Sequence, residues 1–299
     1  MLPSIAERRE MPNRLLTVIR LCLYDLGFVE LPVRIFQLED VLPAVERMLI
    51  FDLGMHLGLD TQFYLKKGFR VIAVEAAPLM IENARTSLSR YIETGQLIIV
   101  DRAFWSVDEE EISFYINQEK DDWSSAFKWW AENGAHDIRD IKVKTTTLPR
   151  LFSEYGVPYY IKCDIEGADE LFVRQLSADR RRPSYISVEA TSLEALAILY
   201  AAGYDRVQLV NQAFNGFAQP PDPPLEGNIA PVKFNGHMSG LFGRELNPEG
   251  WVTFTQAAGM YLDFRDLKRR HDKLAHGWLD FHVTTAQTLS LAGAPKHTH

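Results

Sequence analysis

Cysteine is scarce in this chain: Cys22 and Cys163 are the only two in 299 residues. So sparse a set builds no disulfide framework, and a reducing compartment fits it. Long apolar runs are missing too, and none approaches the roughly 20 residues that a helix needs to cross a bilayer. The first residues carry Glu7, Arg8, Arg9 and Glu10 with no apolar core behind them, so no signal peptide is visible. We therefore expect a soluble, cytoplasmic protein with no membrane partner. Basic residues are outnumbered 32 to 40, for a formal charge of −8. That balance speaks against nucleic acid, because phosphate binding needs a basic face. The one dense basic cluster, Arg180, Arg181 and Arg182, precedes Pro183 and reads as a solvated loop. The eight histidines lack a metal-ligand spacing, so no metal is expected. Internal repeats are absent as well.

What is present is an alternation of short apolar runs with amphipathic stretches. Residues 48–53, 70–75, 97–100, 159–163, 185–188 and 206–210 read as buried strands. Between them, residues 59–67 read as a helix closed by Gly68, and Ile81, Ala84, Leu88, Tyr91 and Ile92 share one helical face. Further faces are Ala168, Leu171, Phe172 and Leu176, then Leu193, Leu196, Ala197 and Tyr200. Strands alternating with helices predict an α/β fold: a Rossmann-like, mostly parallel, doubly wound sheet with insertions. Three parts fall outside the alternation. Residues 1–47 form an N-terminal helical extension, amphipathic over 13–26. Residues 105–158 form an insertion that begins with a hairpin strand at 112–116. Residues 211–250 are loop-like, with Pro220, Pro221, Pro223 and Pro224 as a stiff spacer. After Trp251 the chain turns helical, with Phe254, Ala258, Tyr261 and Leu262 along one face. No further strand–helix pattern is read beyond it, so residues 48–299 are taken as one domain.

The loop after the first strand is Asp52-Leu53-Gly54-Met55-His56-Leu57-Gly58. In a doubly wound sheet, ligands bind beyond the carboxyl ends of the strands, and glycine there lets backbone approach them. A dinucleotide fingerprint needs glycine at 54, 56 and 59, but 56 is His and 59 is Leu. A nicotinamide cofactor is disfavoured; the spacing matches the looser loop of enzymes that use S-adenosylmethionine. Glu75 ends the second strand, where an acid accepts both ribose hydroxyls, and Asp101 ends the third, near an adenine amino group. Acids at strand ends also cap helices. Asp52, Glu75, Asp101 and Asp164 at four strand ends beside a glycine loop favour cofactor binding.

From this point the sequence resembles the FkbM family of methyltransferases. Residues 49–54 with Gly58 are similar to its first motif. Val74-Glu75-Ala76-Ala77-Pro78 is similar to its second-strand motif, and Ala103 follows the third strand as in the family. The stretch Ile161-Lys162-Cys163-Asp164-Ile165-Glu166-Gly167-Ala168-Asp169 looks like its most distinctive pattern. Ser124-Ser125 resembles a paired serine between these blocks, and Ser239-Gly240-Leu241-Phe242-Gly243 is similar to some members. The family commonly has Ala-Asn where this chain has Met55-His56. The resemblance implies a class I methyltransferase fold, S-adenosylmethionine as cofactor, and O-methylation of a hydroxyl on a sugar, polyketide or other secondary metabolite. Implied cofactor contacts are Asp52, Gly54, His56, Gly58, Glu75, Asp101, Ala103 and Asp164.

Methyl transfer to a hydroxyl needs near-attack positioning and a base within hydrogen-bond reach. Asp164 and Glu166, leaving the fourth strand of the alternation, and Lys162 within it are the catalytic candidates. Asp164 is the better base, and Glu166 is expected to hold the turn at the start of the next helix. Lys162 either orients the acceptor or makes a structural ion pair. Ser124, Ser125, His237 and Ser239 are acceptor-side candidates. His271, His276 and His282 are read as surface residues. Trp123, Phe127, Trp129 and Trp130 either pack the insertion or wall an apolar acceptor pocket. Competing readings are an N-methyltransferase and a non-catalytic Rossmann-like module that binds a partner protein. A small-molecule acceptor is the expected partner, and the sequence leaves room for a homo-oligomer.

Overall fold

The computed structural model describes residues 44–133 and 136–293. The expected extension over 1–47, with its amphipathic stretch and Cys22, lies outside the described residues apart from 44–47. The first strand, β1 (Val45–Leu53), begins three residues before its apolar run, because Glu46, Arg47 and Met48 are exposed and only 49–53 are buried.

The strands that follow are β2 (Arg70–Glu75), β3 (Leu97–Asp101), β4 (Ala103–Phe104), β5 (Glu111–Asn117), β6 (Ile138–Thr146), β7 (Val157–Cys163), β8 (Tyr185–Glu189), β9 (Arg206–Asn211), β10 (Val252–Thr253) and β11 (Leu279–Thr284). Eight form one sheet in the order β10-β9-β11-β8-β7-β1-β2-β3. From β1 the chain moves outward through β2 and β3; it then returns to the other side of β1 as β7 and continues to β8. The order thus reverses between β1 and β7, which leaves a crevice at their carboxyl ends. The sheet is mixed. β11 runs antiparallel to both β8 and β9, and β10 runs antiparallel to β9. The strand β11 and the helix Ala286–Gly293 after it form the strand–helix pattern that the sequence reading missed. β11 enters this sheet rather than a second one.

Alternation within each strand assigns the two faces. Leu49, Phe51 and Leu53 of β1 join one core with Ile161 and Cys163 of β7. That core is covered by α5 (Leu148–Tyr155), α6 (Asp169–Ala178), α7 (Leu193–Ala201) and α8 (Phe254–Arg270). On α8 the buried stripe is Ala257 and Tyr261, while Leu262 is half exposed, contrary to the sequence reading. Ile50 of β1 and Tyr160 of β7 join the other core, under α1 (Leu59–Lys66) and α2 (Pro78–Ser87). The helix that carries Ile81 and Ala84 ends at buried Leu88, and in the short α3 (Ser89–Glu93) only Tyr91 and Ile92 are half-buried, packed against the same core as Ala84 and Leu88.

Residues 211–250 hold no long element, yet they do a helix's work on that second face. Ala230, Phe234, Met238 and Phe242 are buried against Phe63 and Tyr64 of α1. Burying each such side chain contributes about 1.5–3 kcal/mol over leaving it in water. A fully buried ion pair pins the same segment: Lys67, at the end of α1, donates to Glu245 at 2.7 Å, with both side chains 0% exposed. Of the four prolines only Pro223 is exposed, Pro220, Pro221 and Pro224 are half-buried, and none lines the crevice.

The insertion is smaller than the 105–158 expected, because α5 and β7 occupy its last residues as regular parts of the sheet crossover. What remains is a three-stranded sheet in the order β4-β6-β5, with the hairpin strand running over Glu111–Asn117 and the single-turn helix α4 (Lys128–Ala131). Among the described residues no helix is long and apolar enough to cross a membrane.

Candidate active site

The loop after β1 is tied down on two sides. Gly54 and Met55 donate their N–H groups to the Val74 carbonyl, at 3.0 and 3.1 Å, which folds the loop over the end of β2. On the other side Asp164 donates to the Leu53 carbonyl, and the Lys162 ammonium donates to the Gly54 carbonyl at 2.7 Å. A Cβ on Gly54 would overlap the Asp164 carbonyl oxygen, and φ there is +82°. Glycine is needed at 54 for the contact between two strand ends. Gly58 is also left-handed, at φ +70°, but it is the N-cap of α1 and faces Leu88 and Met55. It does not line the crevice.

Glu75 stands at the centre of one wall. Its Oε1 accepts from the N–H groups of Ala76 and Ala77, and its Oε2 accepts from that of His56, each at 2.8 Å. A carboxylate offers about four acceptor positions. Three are taken, which leaves one open. Burial pushes the Glu75 carboxyl up, against the pull of those three donors. Beside it, Ala76, Ala77, Met80, Ala103 and Phe114 form an apolar patch. Asp101, expected here, points away: its side chain is 54% exposed and lies 3.7 Å from Arg85. Arg102 and Ala103 line the crevice in its place.

Asp52 and Lys162 are cross-strand partners on β1 and β7, and both face α1. Asp52 is wholly buried, accepts from Thr61 Oγ1 at 2.5 Å and lies 3.5 Å from Lys162. Asp52 is thus beneath the floor rather than in it. Lys162 also lies 3.5 Å from Asp164, whose side chain is 47% exposed and faces the crevice. Of the two readings of Lys162, its contacts are those of an ion pair that joins the floor to Asp164.

Glu166 does not cap the next helix. The N-cap of that helix is Ala168, with no side-chain bond, and the turn before it is held by Asp169, which accepts from Ile165 N at 3.4 Å. Glu166 accepts instead from the Trp130 indole at 2.8 Å, and its carbonyl accepts from Ser125 Oγ at 2.6 Å. Ser125 is buried in that bond and lines nothing, whereas its neighbour Ser124 lines the crevice.

The third wall joins the first turn of α1 to residues 236–239, which lie in the segment read from sequence as loop-like. Asp60, in the first turn of α1, accepts from Ser239 N with both oxygens, at 3.1 and 2.9 Å. This brings His237 and Ser239 to the crevice, and the His237 ring lies 6.2 Å from that of His56. His56 in turn lies 3.2 Å from Asp121 of the insertion. Glu189 and Asp280, opposite each other on β8 and β11, close the far end, with Asp280 bonded to Gln212. Trp278 stands beside them. His282, expected at the surface, is buried on β11, and burial pushes its imidazole down to about 3.

The crevice therefore gathers Gly54, His56, Glu75, Ala103, Ser124, Lys162, Asp164, Glu166, His237 and Ser239. It leaves out Asp52, Gly58, Asp101 and Ser125. Asp60, Glu189, Gln212, Trp278 and Asp280 were missed. Glu189 carried the same signal as Glu75, an acid ending a parallel strand. The free space is about 150 Å3 and opens to solvent.

So many buried acids make stability depend on pH. Burial is the main cause that raises Asp60 to about 7, Glu189 and Glu226 to about 8, and Glu166 to about 9. An unfolded carboxyl has released its proton by about pH 5. The folded chain binds more protons than the unfolded one up to these values, so its stability falls as pH rises through them. Buried neutral His282 works in the opposite direction only below about pH 6.5. The ligand-free protein should thus melt at progressively lower temperature between about pH 6.5 and 8.5. A melting temperature that rises over this range in thermal scans would contradict the folded-state protonation described here.

The comparisons agree with this picture at one level. A solved structure that matches is the precorrin-6y C5,15-methyltransferase from Geobacter metallireducens GS-15, at 13% identity, over 56% of this chain and 69% of that one. Its TM-score of 0.33 is too low to carry an argument. No curated protein matches the chain. The methyltransferase FkbM domain matches residues 52–205, from the buried Asp52 of β1 to the residue before β9. That match spans just over half of the chain and includes the glycine loop, Glu75, the insertion and the Asp164–Glu166 turn. The chain belongs to the FkbM family of methyltransferases.

Proposed function

We propose that this protein is an S-adenosylmethionine-dependent methyltransferase of Rossmann-like fold that methylates a hydroxyl of a small molecule. The observation that carries the reading is the crevice at the reversal of strand order, where Glu75 stands beside an apolar patch and Asp164 faces the same space. The residues fit the cofactor. Glu75 keeps one acceptor position for a ribose hydroxyl, and Met80, Ala103 and Phe114 offer a dry surface to adenine. The 150 Å3 of free space is below the ~300 Å3 of a typical ligand pocket, so both substrates extend through the open mouth.

When bound, the cofactor supplies a methyl group already activated by its sulfonium. The chain's own task is to orient the acceptor and take its proton. Asp164 is the base, held at the end of β7 by its backbone bond to Leu53 and by Lys162 at 3.5 Å. His237 and Ser124 line the side from which an acceptor enters. Secondary metabolism and a cytoplasmic location belong to the same proposal and rest on the resemblance and composition.

Calorimetry tests it. S-adenosylmethionine or S-adenosylhomocysteine should bind, and NAD should not. Glu75→Ala should weaken that binding by about one to three kcal/mol, since a hydroxyl loses a charged acceptor and three loop N–H groups lose theirs. Unchanged affinity in a folded Glu75→Ala protein would remove Glu75 from the site.

A further inference from the structure

Glu166 is held in the left-handed region, at φ +46°, which side chains rarely adopt. Three contacts from the insertion keep it there. Ser125 Oγ donates to its carbonyl, and the Trp130 indole donates to its Oε2. The Trp130 ring also lies so close to Gly167 that a Cβ there would sit 3.1 Å from it. Trp130 has its own anchor, because buried Asn117 at the end of β5 donates to the carbonyl of the neighbouring Ala131 at 3.0 Å. Backbone strain persists only where the surroundings over-determine it, and here it falls on a side chain that lines the crevice.

We propose that Trp130 is a positioning residue: its indole N–H holds the Glu166 carboxyl at the acceptor end of the crevice, beside the point where the methyl group is passed on. The inference rests on the reading of the crevice as an S-adenosylmethionine site. The groups facing Glu166 are Asp164 from the end of β7, Glu189 from β8 and Asp169 from α6, with Lys162 behind Asp164. The insertion contributes the neutral Trp130. Burial, then these acids, push the Glu166 carboxyl up to about 9, while the indole bond pulls it down. A sulfonium beside Glu166 favours its charged form; S-adenosylhomocysteine carries no such charge. Affinities for the two ligands must therefore diverge as Glu166 ionises.

The test is calorimetry with S-adenosylmethionine and S-adenosylhomocysteine from about pH 6.5 to about 9.5. The sulfonium lowers the amino pKa of S-adenosylmethionine and not that of S-adenosylhomocysteine, so the rise is read as the excess of the wild type over Glu166→Gln, in which the ligands titrate the same way. In the wild type the ratio should rise in favour of S-adenosylmethionine by about tenfold. Glu166→Gln keeps an acceptor for the indole and should lack this rise. Trp130→Phe keeps the ring without its N–H and should move the rise to higher pH. Glu189→Gln should keep the rise but move it to lower pH, because Glu189 is one of the acids that push Glu166 up. A second reading needs no Trp130 variant: one of the six indole N–H resonances should shift through the same midpoint and stay fixed in Glu166→Gln. A wild-type ratio that follows that of Glu166→Gln, a Trp130→Phe protein that follows the wild type, or indole resonances that all stay fixed would overturn the proposal. Failure of the wild type to bind either ligand would overturn the cofactor reading instead.

Discussion

Lys67→Met is expected to lower the folding stability by about 3–5 kcal/mol, the range for removing one partner of a buried ion pair. Lys67 closes α1, and its ammonium reaches the Asn228 carbonyl at 3.4 Å as well as Glu245. Its ring neighbour Phe63 lies 5.6 Å below the charge. Methionine matches the apolar stem but leaves the Glu245 carboxyl buried without a counter-charge. Burial already pushes that carboxyl up, with Lys67 pulling it down, so in the variant it must take a proton or reach water. Either route loosens residues 225–246. That segment carries the Gly236–Ser239 wall of the crevice, so affinity for S-adenosylhomocysteine should fall together with stability. The double variant Lys67→Met, Glu245→Leu should recover most of the loss, because replacing both charges with packed apolar groups is often neutral or stabilising. Chemical denaturation of the two singles and the double gives the coupling. A single variant that loses less than about 1 kcal/mol would show the pair to be hydrated.

That pair also marks where sequence reading ends. At position 67 a lysine closing a helix reads as a solvated residue that favours the helix dipole, and nothing local says that a segment 160 residues later covers it. The strands β1, β2, β7 and β8 were legible because each is a compact apolar run followed by a polar turn. β11 was not, because Asp280, His282 and Thr284 interrupt Leu279, Phe281 and Val283, although all six are buried. The polar half is taken up by partners on other elements: Gln212 for Asp280 and the Ser184 carbonyl for Thr284. The glycine loop was found for a reason that differs from the structural one. Gly54 makes room for the Asp164 backbone, and the tight joint it allows is what aligns the ends of β1 and β7. Within the site, the strand-end acids Glu75 and Asp164 followed from topology. The wall made by Asp60 and Ser239 depends on a loop that packs across α1, and no periodicity encodes that.

Asp164→Asn is expected to slow methyl transfer by about a hundredfold or more while leaving cofactor affinity nearly unchanged. The carboxyl sits at the reversal of strand order, half exposed, and faces the crevice between the glycine loop and Glu189. Its backbone is fixed by the bond to Leu53, so the substitution leaves the joint with Gly54 in place. Asparagine keeps the shape and can still accept a hydrogen bond, but it cannot take the proton of an acceptor hydroxyl. The loss should appear in single-turnover methylation of an acceptor found with labelled methyl donor. It should appear in the rate constant rather than in the apparent affinity, because proton removal belongs to the transition state. Lys162 sets a further contrast. It lies 3.5 Å from Asp52 and Asp164 and bonds the Gly54 carbonyl, so Lys162→Met strips the floor of its cation and should cost stability along with rate. Asp164→Asn removes one charge from a group of acids and should raise the melting temperature slightly if it changes it at all. A variant with faster unfolding and proportionally slower turnover would mean that Asp164 acts through the joint. Near-normal turnover would mean that Asp164 takes no proton, and His237, across the crevice, would then be the group to test as base.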